Sequence, residues 1–195
     1  GVATIRRRQT KAEANIVAGL LKELDYRPAF HLLLCQGGAV RADQLQSSIE
    51  SLVRQGYADW RLTVVTDSDA AVAALRGVVA DCAGAQAGRI SVAGPSDAAF
   101  DAPLAASSDA APPEPVWFGV LCPGDELAVD ALAQLAIAGG LHRGADFLYA
   151  DEARISPASR EREAFGKPEW SPDLLLSTNY IGRPWFVAGS LLRQV

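Results

Sequence analysis

The order of apolar segments constrains this 195-residue chain most strongly, because it fixes the class of fold. Short apolar runs alternate with longer segments in which apolar residues recur every three or four positions. The short runs are typical of strands buried on both faces, and the longer segments of amphipathic helices. This alternation predicts an α/β domain with a mostly parallel sheet. The predicted strands are 30–36, 61–66, 89–93, 116–122 and 146–151, and the predicted helices are 10–24, 41–56, 70–82 and 125–139.

Charge and cysteine content exclude several classes of function. The formal net charge is −5, and the one dense basic run, Arg6–Arg8, is better explained as a solvated helix end than as a phosphate site. We therefore expect no nucleic-acid partner. Three cysteines without a CxxC spacing favour reduced thiols and a cytoplasmic location, either free or at the inner face of the cell membrane. No run of eighteen apolar residues occurs, so we expect no membrane span in this chain.

Polar residues follow the predicted strands at the positions where open parallel sheets bind ligands. Several are acids, which suit a metal–phosphate complex or a hydroxyl-rich ligand. The structural alternative is that Asp67 makes an Asx turn, Asp125 caps the following helix and Asp151 orders a turn. His31, within an apolar run, is better explained as a core residue than as a base. The four segments that follow predicted strands, and that are therefore candidates for ligand binding, are Cys35–Gly38, Thr66–Asp69, Cys122–Asp125 and Asp151–Glu152.

The stretch KPEWSPDLLLSTNYIG, residues 167–182, contains a helix start and a set of further polar and aromatic residues. Ser171, Pro172 and Asp173 read as an N-cap, a first-turn proline and an acid matched to the helix dipole. They predict a short apolar helix at Leu174–Leu176. The residues that this helix does not require are Lys167, Trp170, Asn179 and Tyr180. The alternatives to binding are a packing role for Trp170, a packed ring with a satisfied hydroxyl for Tyr180, and simple solvation for Lys167.

From Pro28 onward these segments together resemble family 2 glycosyltransferases, in particular the bacterial branch of O-antigen and other surface polysaccharides. SSIESLVRQGYADWRLTVVTDSD (47–69) is similar to that family's first helix and second strand. VWFGVLCPGDELAVDAL (116–132) is similar to its central strand and metal motif. The more specific matches are DFLYADEARIS (146–156) and the Lys-Pro-x-Trp-Ser-Pro-Asp…Asn-Tyr-Ile pattern of residues 167–182.

The resemblance implies a GT-A fold, which is a Rossmann-like three-layer α/β sandwich. It divides the chain into an N-terminal helical lead-in, 1–27, and a glycosyltransferase-like domain, 28–195. Because the family's catalytic base lies beyond the Asn-Tyr-Ile segment, the domain is expected to be truncated before it. The implied nucleotide-sugar-binding residues are Asp67, Asp69 and Asp125, with Asp125 also holding Mg²⁺ or Mn²⁺. The implied acceptor-side residues are Asp151, Glu152, Lys167, Trp170, Asn179 and Tyr180.

The departures from the family pattern fall at the donor-site motifs. Cys35-Gln36-Gly37-Gly38 offers no aromatic ring to a nucleobase, and Thr66-Asp67-Ser68-Asp69 keeps one acid of a pair. The family's Asp-x-Asp falls on Cys122-Pro123-Gly124, followed by Asp125. A soft thiol and a glycine are poor partners for a hard cation. An Ala- and Pro-rich segment, 95–115, predicted to be a long surface loop, replaces an Asn- and Gly-rich one.

Two functions therefore stay open at the level of sequence. The first is an enzyme that transfers a sugar from a nucleotide-sugar donor to a saccharide acceptor during surface-polysaccharide biosynthesis. The second is a catalytically inactive GT-A-like domain that serves as a scaffold or interaction module beside other domains of a longer chain. An unrelated α/β nucleotide binder is disfavoured because neither a P-loop nor a GxGxxG motif is present. The chain begins with Gly and contains no Met, so its start resembles a fragment boundary.

Overall fold

The computed structural model describes residues 11–97, 115–156 and 161–192. Arg6–Arg8 and most of the predicted loop at 95–115 lie outside these ranges. The elements are α1 (Lys11–Glu23), β1 (Ala29–Gln36), α2 (Ala42–Val53), β2 (Trp60–Thr66), α3 (Asp69–Ala83), a 3₁₀ turn (Gly84–Arg89), β3 (Ile90–Ala93), β4 (Val116–Leu121), α4 (Ala131–Leu141), β5 (Phe147–Tyr149), β6 (Glu152–Ile155), β7 (Arg162–Phe165), α5 (Pro172–Ser177), β8 (Trp185–Ala188) and α6 (Gly189–Leu192).

The described strands form a six-stranded sheet in the order β3-β2-β1-β4-β8-β5 and a separate β6-β7 hairpin. β1 pairs in parallel with β2 and β4, and β2 pairs in parallel with β3. β8 is antiparallel to both β4 and β5, so β5 runs in the same direction as β4. The predicted α/β fold with a mostly parallel central sheet is therefore confirmed.

The apolar core lies between the sheet and the helices that follow its strands. Phe30, Leu32 and Leu34 alternate along β1 and are almost completely buried. They belong to one buried cluster with Leu45, Ile49 and Leu52 of α2, whose spacing places them on a single helix face. Burial of each such side chain stabilises the fold by roughly 1.5–3 kcal/mol. The strands that carry the candidate site are thus fixed by a well-buried core.

The predicted helix at 125–139 begins later than expected, at Ala131, because Gln55 binds both partners of a helical hydrogen bond: its Nε2 donates to the Ala128 carbonyl oxygen at 2.7 Å, and its Oε1 accepts from Leu132 N at 3.2 Å. Ser48 Oγ accepts a hydrogen bond from Gly124 N at 2.9 Å, and Ser51 Oγ accepts one from Leu127 N at 3.1 Å. Turns therefore replace the first predicted helical residues. No helix in the described ranges is long and apolar enough to cross a membrane.

The contact between β4 and β8 gives the first prediction. A Cβ on Gly119 would meet Phe186 Cε1 at 2.5 Å and Cδ1 at 2.7 Å, and the Phe186 ring is fully buried against Phe30. We expect Gly119→Ala to lower the free energy of unfolding by about 1–3 kcal/mol, because the core is overpacked. Urea denaturation followed by circular dichroism measures the change.

A second glycine provides the matched control. Gly77 lies inside α3, and a Cβ there would meet nothing within 4 Å. Gly77→Ala should raise the free energy of unfolding by about 0.5–1 kcal/mol, since alanine loses less backbone entropy in a helix. Equal stability of wild type and Gly119→Ala would contradict the packing described for β4 and β8.

Candidate functional site

The structure brings the four candidate strand ends to one edge of the sheet. The register pairs Gln36 with Thr66 across β1 and β2, and Leu34 with Leu121 across β1 and β4. β5 ends at the same edge because it runs parallel to β4. β8 is antiparallel to both, so it begins where they end. The segment that enters β8 therefore lies beside the donor-site positions.

At the end of β1, Gln36 organises the loop that the family uses against the nucleobase. Its Nε2 donates hydrogen bonds to the carbonyl oxygens of Gly37 and Ala39, both at 3.0 Å. Its Oε1 is buried and has no hydrogen-bond partner within the described residues. Cys35 is exposed. The loop thus exposes the Cys35 thiol, whereas the Gln36 amide is turned inward and holds the loop itself.

At the end of β2, the two candidate acids differ in their surroundings. Asp67 is exposed at the edge of the sheet. Asp69 accepts hydrogen bonds from Ser96 Oγ at 2.5 Å and from Ser96 N at 3.1 Å, and these bonds lower the pKa of Asp69. A Cβ on Gly94 would collide with Asp69 Oδ1 at 2.5 Å, so the turn packs closely on this carboxylate. Asp69 therefore fixes the 94–97 turn, whereas Asp67 faces solvent.

At the end of β4, Asp125 is buried and paired with Arg183. Its Oδ2 accepts hydrogen bonds from Arg183 Nε at 2.6 Å and from Cys122 N at 2.9 Å. Its Oδ1 accepts one from Arg183 Nη2 at 3.3 Å. The hydrogen bonds to Asp125 raise the pKa of Arg183, and burial of the guanidinium only partly opposes that rise. Asp125 and Arg183 thus form a close, partly buried ion pair.

The Cys122–Asp125 turn does not fit the divalent cation that the family pattern implies. A hard cation needs several oxygen ligands, whereas this turn offers one carboxylate, a thiol and a glycine. The carboxylate already contacts a guanidinium through both of its oxygens. Within the described ranges, no group of three His, Cys, Asp or Glu side chains could hold a metal ion.

The predicted acceptor-side residues Glu152 and Lys167 form a buried ion pair. Lys167 Nζ lies 3.4 Å from Glu152 Oε2, and their side chains are only 1% and 4% exposed. Lys167 Nζ also donates to the carbonyl oxygen of Arg183 at 3.0 Å, and Lys167 N donates to Asp151 Oδ1 at 2.8 Å. Lys167 is therefore not a solvated surface residue, because it joins three parts of the site.

Arg154 completes this charge cluster. Burial alone would raise the pKa of Glu152, but the hydrogen bond from Arg154 and the charges of Lys167 and Arg154 outweigh it, so that the pKa falls below its ordinary value. Burial lowers the pKa of Lys167, although the charge of Glu152 opposes that effect. Glu152 therefore stays ionised as the counterion of two cations.

The remaining acceptor-side residues hold the 167–182 segment or face solvent. The hydroxyl of buried Tyr180 accepts a hydrogen bond from Ser171 N at 2.9 Å, and Asn179 Oδ1 accepts one from Gly182 N at 3.2 Å. Trp170 is 59% exposed, with its ring centroid 6.4 Å from that of Phe147. Ser171 accepts a bond from Leu174 N, as expected of an N-cap. Trp170 is thus the aromatic surface that this segment presents to solvent.

A cavity of about 840 Å³ lies beside part of this site. It lies between the start of α4, the end of β5 and the β6-β7 hairpin, and Leu127, Leu135 and Phe165 contribute apolar wall. The charged residues that border it include Asp125, Asp151, Glu152 and Arg183. The cavity has room for a sugar-sized ligand in contact with both apolar and charged groups.

Comparison with known proteins supports the resemblance found in the sequence. No family model matches the chain. The chain is 31% identical over 151 residues to the O-antigen biosynthesis protein RfbC of Myxococcus xanthus, a match that spans 77% of this chain and 12% of that protein. It is 30% identical over 153 residues to the uncharacterized protein y4gI of Sinorhizobium fredii, spanning 77% of this chain and 16% of that protein. The match to RfbC confirms the resemblance to O-antigen proteins, and this chain spans less than a fifth of either relative.

Two solved structures are similar to the chain at low sequence identity. Mannosyltransferase PcManGT from Pyrobaculum calidifontis, in complex with GDP-Man and Mn²⁺, aligns with a TM-score of 0.48 and 14% identity over 83% of this chain and 52% of that chain. S. aureus TarS 1-349 aligns with a TM-score of 0.42 and 13% identity over 63% of this chain and 35% of that chain.

The buried Glu152–Lys167 pair gives the second prediction. We expect Glu152→Gln to lower the free energy of unfolding by about 3 kcal/mol at neutral pH, because it leaves a buried ammonium without its counterion. Because the folded pKa of Glu152 lies below the ordinary value of 4.5, its contribution is present above that pH and is lost as the pH falls through the folded pKa. Urea denaturation between neutral and acid pH measures both effects.

The control is Glu163→Gln, which removes an exposed carboxylate from the same hairpin. We expect that variant to stay within about 0.5 kcal/mol of wild type. If the two substitutions had equal effects, Glu152 would not be the buried counterion described above.

Proposed function

We propose that this chain is a glycosyltransferase domain that transfers a sugar from a nucleotide-sugar donor to a saccharide acceptor in surface-polysaccharide biosynthesis. The observation that carries the proposal is the cavity, which is bordered both by Asp125 of the donor-site turn and by Asp151 and Glu152 of the acceptor-side segment. The sequence likeness to an O-antigen biosynthesis protein agrees with it. Transfer requires donor and acceptor to meet in one space, and this cavity provides one.

In this proposal the role of each residue follows from its position in the site. Asp67, exposed at the end of β2, binds the nucleoside. Asp151 and Trp170 offer a carboxylate and an aromatic surface to a saccharide, which presents hydroxyls and an apolar ring face. Lys167, Glu152, Asn179 and Tyr180 hold the acceptor-side segment in place through the contacts described above.

The location and the wider protein are parts of the same proposal. Cys35, Cys82 and Cys122 are free thiols, as expected of a protein in the reducing cytoplasm. Both curated relatives are much longer than this chain. We therefore propose that the domain acts in the cytoplasm beside other domains.

A specific observation favours the second candidate, a GT-A-like domain without transferase activity. Two of the three acids at donor-site positions already make internal contacts, since Asp69 binds the 94–97 turn and Asp125 pairs with Arg183. A domain retained as a scaffold needs these contacts for its own stability and needs no nucleotide. A measurement of nucleotide binding therefore distinguishes the transferase from the scaffold domain.

Calorimetric titration of the chain with UDP, GDP and dTDP, each with Mn²⁺ and with EDTA, supplies the third prediction. We expect one of these nucleotides to bind with a micromolar Kd. Asp67→Ala should weaken that binding roughly tenfold, because a hydrogen bond to a charged group is lost. Asp81→Ala, which removes an exposed acid on α3, is the control and should bind as wild type does. If a folded sample binds none of the three nucleotides under either condition, the scaffold function replaces the transferase.

A further inference from the structure

We infer that the donor site binds the diphosphate of its nucleotide without a divalent cation, and that the Arg183 guanidinium supplies the positive charge. This inference rests on the proposed function, because it concerns the charge that the same donor would meet. It departs from the cation requirement implied by the family pattern. Four features of the structure carry it: the chemistry of the turn, the place of Arg183, its remaining hydrogen-bond donors and its fixed orientation.

The chemistry of the Cys122–Asp125 turn comes first. A divalent cation at Asp125 would have to displace a guanidinium that donates to Oδ2 at 2.6 Å and to Oδ1 at 3.3 Å. If it did not displace the guanidinium, two positive charges would lie a few ångströms apart, which is unfavourable in a partly buried site. Cys122 and Gly124 offer no hard oxygen side chain in compensation. The negative charge of Asp125 is thus already neutralised by the guanidinium of Arg183.

The sheet register explains why this cation lies at the metal-motif position. β4 and β8 are antiparallel, with Gly119 opposite Phe186. Arg183 lies two residues before β8, and its side chain reaches Asp125 in the turn that follows β4. Arg183 therefore enters the site from the strand next to the metal-motif strand.

The guanidinium keeps hydrogen-bond donors for a ligand. Arginine has five N–H donors in a planar fork. In the described part of the chain, its contacts with Asp125 use Nε and Nη2, and the side chain remains 35% exposed where it borders the cavity. Nη1 is therefore available to an anion in the cavity. A planar fork of this kind is well suited to phosphate oxygens.

The guanidinium is also held in one orientation before any ligand arrives. The backbone of Arg183 is fixed at both polar groups, because its carbonyl oxygen accepts from Lys167 Nζ at 3.0 Å and its N–H donates to Glu152 Oε2 at 3.4 Å. Asp125 orients the side chain. Asp125 is therefore a positioning residue for Arg183, and Arg183 is the residue that contacts the diphosphate.

A metal site and an arginine site predict opposite effects for one substitution at Asp125. If Asp125 holds a cation, Asp125→Asn removes a ligand and nucleotide binding is lost. If Asp125 positions Arg183, Asp125→Asn removes a negative charge near the phosphates while its amide oxygen still accepts from the guanidinium. Binding is then retained or tightened.

The experiment is calorimetric titration with UDP, GDP, dTDP and inorganic pyrophosphate in EDTA and in Mn²⁺, on wild type and variants. We expect equal affinity in EDTA and Mn²⁺, and binding that weakens roughly 10- to 100-fold in Arg183→Gln. Arg183→Lys keeps the positive charge but loses the planar set of guanidinium donors, so its nucleotide affinity should lie between those of Arg183→Gln and wild type. Asp125→Asn should bind at least as tightly as wild type. Arg54→Gln, at an exposed pair on α2, is the control and should leave binding unchanged.

The possible outcomes separate this inference from the proposed function. Binding that requires Mn²⁺ and is lost in Asp125→Asn would overturn the inference and leave the transferase intact. Absence of nucleotide binding under both conditions by a folded sample would overturn the proposed function, and the inference with it. Circular dichroism of each variant establishes folding, and Arg183→Lys decides the result if Arg183→Gln does not fold.

Discussion

The segment from Lys167 to Arg183 is held against the rest of the domain by two ion pairs near its ends and by the buried side chains of Tyr180 and Ile181. Its helix α5 has no buried residue, and Leu176 is 88% exposed. The ion pairs join Lys167 to Glu152 and Arg183 to Asp125. Removing one member of a buried pair leaves an uncompensated charge and is strongly destabilising. The shape of the cavity therefore depends on charges that the chain itself supplies.

Much of the fold can be predicted from the sequence, because the patterns that indicate each strand or helix lie within that segment. The apolar runs at 30–36, 61–66 and 116–122 become β1, β2 and β4 within one or two residues. Apolar periodicity located α3 within one residue, whereas α2 ends at Val53, three residues before the predicted end. The start of α4 was mispredicted because side chains distant in sequence bind this segment, and Gln55 occupies both the Ala128 carbonyl oxygen and Leu132 N, which a helix through 125–139 would join to each other. A periodicity argument within 125–139 contains no information about those partners.

The candidate site was less predictable than the fold, for a physical reason. The acids at the strand ends can be read from the sequence, since parallel strands end at one edge of a sheet. Their partners cannot, because Arg183 reaches Asp125 only through an antiparallel strand whose direction and register arise from tertiary packing. Lys167 had two interpretations at the level of sequence, an acceptor-side residue or a solvated residue before a proline, and neither predicted its burial beside Glu152. The sequence thus named candidate residues and did not predict how they pair.

Hydrogen bonds to α2 and an ion pair fix the shape of the turn at the end of β4. Gly124 N donates to Ser48 Oγ at 2.9 Å, Leu127 N donates to Ser51 Oγ at 3.1 Å, and both serines are almost fully buried. Gly124, with a φ of 92°, permits the tight turn between them. Where backbone bonds and an ion pair already fix the geometry of a turn, a cation is not needed to order it. At this position the positive charge beside Asp125 is already contributed by Arg183.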